Sequence, residues 1–97
     1  MEVKVRFFTN LREIVNKREE TLTFPASEKV TVDLALKTLS QKYGTPFTEY
    51  VYNGKTGQPK NFLQFLVNGT NTSTLNGLET ELKDGDVLAI LPPVGGG

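Results

Sequence analysis

Ninety-seven residues, 37% of them hydrophobic and 23% charged, suffice for one compact core under a charged surface and leave no room for a second domain. Eleven basic and eleven acidic side chains cancel, so no overall field draws the chain to nucleic acid or to an anionic membrane. The absence of Cys and His removes disulfides, thiolate nucleophiles, Cys/His zinc sites and imidazole bases in one step, leaving no metal site to expect.

The opening EVKVRFF alternates, with Val3, Val5 and Phe7 against Glu2, Lys4 and Arg6, as a strand with one buried face does. It carries no apolar signal core, and no stretch of the chain approaches the length of a membrane span, so a cytoplasmic protein is expected. NLREIVN reads as a short helical turn capped by Asn10, with Leu11, Ile14 and Val15 at helical spacing. EETLTF is a second strand stopped by Pro25. The clearest helix starts at Thr31, a capping residue with Asp33 in the first turn. It carries Val32, Ala35, Leu36, Leu39 and Tyr43 on one face and ends at Gly44, in the left-handed region.

Residues 45–60 read as a loop-rich excursion punctuated by Pro46, Asn53-Gly54, Gly57 and Pro59, anchored by Phe47, Tyr50 and Val51, with one helical turn at FTEYVY. NFLQFLVNG is a strand ending in an Asn68-Gly69 turn, and LKDGDVLAIL turns at Asp84-Gly85 into a last strand. A polar connector over residues 70–80 joins them, with Leu75 and Leu78 within it. One sheet covered on one face by one long helix is the economical packing of this order, an α+β fold. If the first and last strands pair in parallel, it is a β-grasp, the ubiquitin-like roll, with four to five strands in a mixed sheet. The domain is expected to cover residues 1–91 and a flexible tail residues 92–97.

In the third strand Leu63, Phe65 and Val67 make the apolar face, leaving Phe62, Gln64 and Leu66 outward; in the last, Leu88 and Ile90 point in and Val87, Ala89 and Leu91 out. On this register Phe62, Leu66 and Leu91 are candidates for a partner surface, whereas a slip of one residue would make the same side chains core.

The chain finishes LPPVGGG. Pro92 and Pro93 favour an extended chain that aims away from the sheet. Gly95, Gly96 and Gly97 carry no side chains, so a terminal carboxylate on Gly97 could pass down a channel barely wider than a backbone. Six residues beyond Leu91 reach roughly 20 Å. Two other motifs resolve as turns: Asp84-Gly85-Asp86 lacks the ligand spacing of a calcium loop, and Asn53-Gly54-Lys55-Thr56-Gly57 lacks the upstream glycines of a phosphate loop.

Taken in order, VKVRFFTNLREIVNK, FLVNG and LNGLETELKDGDVLAILPPVGGG resemble the small sulfur-carrier subunit of molybdopterin synthase. Archaeal small ubiquitin-like modifiers share the fold and the ending. Gly95 departs from the alanine frequent in the molybdopterin carriers. The resemblance implies a carrier that is no enzyme and has no catalytic residues or bound cofactor of its own. An E1-like enzyme would use ATP to adenylate Gly97. A sulfur donor would then give a thiocarboxylate for the large subunit of molybdopterin synthase, or a target-protein lysine would give an isopeptide bond. The same chemistry allows both fates, and a passive interaction module whose glycines are incidental is the third reading. A balanced surface and single core lead one to expect a monomer when free.

Overall fold

Val3, Val5 and Phe7 do alternate into a buried row: in the computed structural model, which describes residues 1–92, β1 covers Glu2–Phe7 with these three side chains in the core. The chain then makes α1, Thr9–Val15, and returns as β2, Glu19–Thr23, antiparallel to β1. Asn10 is not the cap of α1. Phe8 holds that position without a side-chain hydrogen bond, and Thr9 enters the helix at φ +48°, so a tight exit from β1, and not a polar cap, starts the turn.

After the two-residue β3, Val30–Thr31, the long helix α2 runs Val32–Tyr43. Thr31 caps it as expected, its hydroxyl accepting from the Leu34 amide at 3.2 Å. Gly44 ends it at φ +75°, ψ −152°, a conformation with positive φ but outside the left-handed helical basin. Gly44 there serves both as the end of α2 and the start of α3, Thr45–Val51, with a proline in the first turn of the latter. The first seven residues of the supposed excursion are therefore a further helix, whose Phe47 and Val51 are fully buried.

β4, Gln64–Val67, turns at Asn68 and Gly69, φ +51° and +84°, into the short β5, Thr70–Asn71. Two positive φ values in succession are what a tight hairpin needs, and Asn-Gly adopts them with the least strain. The connector contains two 3-10 turns, Thr72–Thr74 and Gly77–Glu79, then β6, Glu81–Leu82, which pairs with β3 in a separate small sheet. β7, Val87–Leu91, closes the fold.

The main sheet has the order β2-β1-β7-β4-β5. β7 lies at its centre, parallel to β1 and antiparallel to β4, which is the β-grasp arrangement. One face of this sheet, with Val3, Val5, Phe7, Phe65, Val67, Leu88 and Ile90, packs with Val32, Ala35, Leu36 and Leu39 of α2 in one core. The short strands β3, β5 and β6 were not legible, because two-residue segments carry no period to read.

A polar clasp ties β2 to the last turn of α2. The Glu20 carboxylate, its side chain 10% exposed, receives the Tyr43 hydroxyl and the Lys17 and Lys42 ammonium groups, the latter two at 3.0 Å. Burial pushes the Glu20 carboxyl up, but the hydrogen bonds from Tyr43, Lys42 and Lys17 outweigh it and hold the group down at about 2. Burial and the facing carboxylate raise the Tyr43 phenol. A lowered folded value stabilises the fold above the ordinary value of 4.5 and loses that contribution as pH falls toward about 2. Thermal melts between pH 5 and pH 2 are therefore expected to drop in Tm for the native chain. The Glu20→Gln variant should begin lower at neutral pH and decline less steeply over that window; parallel curves would show that the clasp is not the acid-sensitive element.

Candidate functional site

Where the tail leaves the fold is decided by the buried row of β7. Leu88 and Ile90 are at 0% and 1% exposure, which fixes the register and turns Val87, Ala89 and Leu91 outward, each half-buried. Across the ladder Leu66 faces Ala89 and Gln64 faces Leu91. Leu63, Phe65 and Val67 are buried, so the outward assignment of Phe62, Gln64 and Leu66 holds as well. Phe62 is 49% exposed and Leu66 half-buried. The side chains expected to form a partner surface thus share the solvent face of the sheet or its margin.

Charge borders the patch on two sides. On the β1 side, Lys4 and Arg6 stand in register with Val87 and Ala89. Both reach Glu19 of β2, at 3.8 and 3.9 Å, in solvent-exposed pairs that contribute little to stability and leave the cations available to a partner carboxylate. On the other side the Lys60 ammonium lies 5.9 Å from the centroid of the Phe62 ring. The outer face therefore reads from β2 to β4 as acidic and hydroxyl, then cationic, then apolar.

β7 is also anchored at the end remote from the tail, through residues that sequence reading treated as two separate turns. The Asn68 side chain donates to the Asp86 carboxylate at 2.9 Å and accepts from the Val87 amide at 2.9 Å. Asp86 accepts in turn from the Lys83 amide at 2.8 Å, and the Gly85 amide donates to the Glu2 carbonyl at 2.8 Å. The β4–β5 turn and the β6–β7 turn are thus one hydrogen-bonded unit that sets where β7 begins. The signal was present in the paired Asn68-Gly69 and Gly85-Asp86 motifs, but only the pairing of β4 with β7 brings them together.

Pro92, half-buried, is the last residue described. The positioning role expected of Pro93 and the activation site expected at Gly95, Gly96 and Gly97 lie outside the described residues. What is visible is their base: a chain leaving the central strand of a five-stranded sheet beside an apolar surface with cationic margins. Among the described residues no group of three or more acidic side chains could hold a metal ion, and no helix is long and apolar enough to cross a membrane.

Comparison with known proteins bears on this arrangement. The chain is 31% identical over all 97 residues, 100% of both chains, to small archaeal modifier protein 3 of Haloferax volcanii. It is 37% identical over 71 residues, 73% of this chain and 78% of the other, to a candidate sulfur carrier protein of Archaeoglobus fulgidus. The solution structure of small archaeal modifier protein 1 from Methanosarcina acetivorans superposes with a TM-score of 0.80 at 41% identity, covering 99% of this chain and 96% of that one. The sequence profile of the ThiS family matches residues 5–97, from the first strand through the glycines. With the β-grasp sheet and the profile in agreement over nearly the whole chain, this protein belongs to the ThiS family, within the ubiquitin-like sulfur carriers and small archaeal modifiers.

Proposed function

We propose that this protein is a sulfur carrier whose Gly97 carboxylate is the acyl group that a partner activates. The observation that carries this reading is the placement of β7: the central strand of the sheet, paired on both sides, leads directly into PPVGGG and has an apolar outer face beside it. The body can dock outside an active site through Leu66 and Leu91 while the thin end enters it. In the first step the carboxylate attacks the α-phosphorus of ATP on the partner, giving an acyl adenylate and releasing pyrophosphate. Hydrosulfide then displaces AMP and leaves a terminal thiocarboxylate directly. A persulfide donor displaces AMP to give an acyl disulfide, from which a second thiol releases the thiocarboxylate and takes up the other sulfur as a disulfide. That sulfur is delivered to a cofactor precursor in molybdopterin synthesis, with the synthase large subunit as the protein partner. The chain's own residues supply docking and reach, with no base or nucleotide loop expected from them.

The full-length identity to a small archaeal modifier supports a second fate from the same intermediate. A lysine amine of a target protein attacks the adenylate or a thioester derived from it, and Gly97 becomes an isopeptide. Mass spectrometry of the peptide ending at Gly97, recovered from the native host, tests both. Sulfur replacing oxygen at the terminus supports the carrier, and a lysine-linked remnant supports the modifier. A plain carboxylate that stays unchanged with ATP, sulfide and host extract would sink the proposal and leave the passive module.

Docking has its own test. The double variant Leu66→Asp, Leu91→Asp changes two half-exposed outer side chains and should move Tm by only a few degrees. It should raise the KM of the adenylating enzyme for this protein on the order of 100-fold, because two apolar contacts of about 1–2 kcal/mol each are replaced by desolvated charge. An unchanged KM would move the docking surface elsewhere.

A further inference from the structure

Beside the outer face, the sheet has an opening at its β5 end. The Asn68 amide donates to the Val87 carbonyl at 2.8 Å. Backbone groups along an antiparallel strand point alternately to either neighbour, so those of Phe65 point away from β7, toward the β5 side. There β5 accompanies only Leu66 and Val67, and at Thr72 the chain departs into a 3-10 turn. The space continuing the line of β5 is an open groove of about 430 Å³. Residues 58–61 and 71–73, with Gly77 and Leu78, line it beside Leu63 and Phe65.

Three features of the groove bear on its occupant. The large hydrophobic side chains exposed among the described residues are Phe62 and Leu75, at 49% and 46%. Each belongs to a segment that lines the groove, Phe62 between Asn61 and Leu63, Leu75 between Ser73 and Gly77. Lys60 is the one charged lining residue, and none of the ion pairs among the described residues includes it. Its ammonium donates instead to the Glu49 carbonyl at 2.7 Å, which leaves the charge uncompensated. The polar lining is otherwise neutral: the side-chain amides of Gln58, Asn61 and Gln64 each offer a donor and an acceptor, and Asn71, whose Oδ1 accepts from the Ser73 amide at 2.9 Å, offers its NH2 donor.

We propose that this groove docks an extended peptide segment of a partner protein, apolar in sequence with one acidic side chain, laid in line with β5. Paired donors and acceptors complement peptide groups, the edge of β4 invites strand addition, and the exposed Phe62 and Leu75 give apolar side chains somewhere to rest. A single cation selects one carboxylate and is too little for a polyanion. The groove shares Lys60 and Gln64 with the margin of the outer face, but its use requires no chemistry at Gly97, so it does not depend on the acyl-donor reading.

An NMR titration of the full chain with the acetylated, amidated hexapeptide Ser-Val-Ile-Asp-Val-Ser tests it, alongside versions with Asn or Lys replacing the Asp. The amides of Gln64, Phe65, Asn71 and Ser73 should shift together and saturate. Affinity should fall from the Asp to the Asn to the Lys peptide by about two- to five-fold per step, the range of an exposed charge pair. Lys60→Glu should reverse that order while leaving the spectrum of the free protein otherwise intact. No saturation at millimolar peptide, or shifts confined to Leu66 and Ala89, would overturn the proposal. So would movement of the groove amides on dilution alone, which would identify a second copy of the chain as the occupant. Movement of the same amides on deleting residues 93–97 without peptide would identify the chain's own tail. Because the titration requires no activation, its failure says nothing against Gly97 as acyl donor.

Discussion

A chain truncated after Gly95 should lose ATP–pyrophosphate exchange with the adenylating enzyme proposed above by on the order of 1,000-fold or more, with Tm unchanged. Two fewer residues withdraw the terminal carboxylate by about 7 Å. A displacement of 1 Å in a reacting group already costs about 100-fold where geometry has to be met, and no side chain of this protein can compensate by moving closer. The body should still bind, because Leu66 and Leu91 are untouched, so the truncated chain becomes a competitive inhibitor of the full one. Stability is unaffected because the buried contacts of β7 end at Ile90. Exchange at the native rate by the truncated chain would mean that Gly97 is not the acyl donor, and the passive module would be the better reading.

The second large effect is on folding. Phe47→Ala should cost about 3–5 kcal/mol, the range for removing a fully buried aromatic ring. Phe47 is 0% exposed, and its ring lies 6.3 Å from that of Tyr43, which in turn meets Phe7 edge-on at 6.2 Å. The cavity would open where α3 packs against α1 and α2, beside the Tyr43 ring. For a domain of this size each kcal/mol shifts Tm by roughly 4–8 °C, so a fall of about 12 °C or more is expected in a thermal melt. A fall of under 4 °C would show that α3 is peripheral to the core.

Phe47 also marks the boundary of what the sequence made legible. The long strands and α2 were readable because each repeats its apolar residues often enough to define a period, as Val3, Val5 and Phe7 or Ala35, Leu36 and Leu39 do. The parallel neighbour of β1 could only be posed as a condition, since no local pattern records which strands meet. In residues 45–60 the prolines and glycines read as loop punctuation, yet Pro46 sits where a helix tolerates it, in the first turn of α3. Asn10 failed as a cap because backbone geometry at Phe8 and Thr9 decided the start of α1. Of the candidate site, the outward row of β4 and β7 was readable from alternation, whereas the joining of Asn68 to Asp86 needed the fold. The groove beside Phe65 left no trace in the sequence, being made by the place where a two-residue strand stops.

Anchoring the tail to the central strand has a mechanical consequence. A pull transmitted through Pro92 acts along the axis of β7, which is bonded to β1 on one side and β4 on the other. The two ladders are loaded in shear and must yield together, whereas β2 at the edge could be peeled from one neighbour, bond by bond. A motor protein that grips the chain at that end and pulls meets a strand held on both sides first. Resistance to forced unfolding is set by the rate of that opening step, so a substrate extracted by its tail should outlast one gripped at β2.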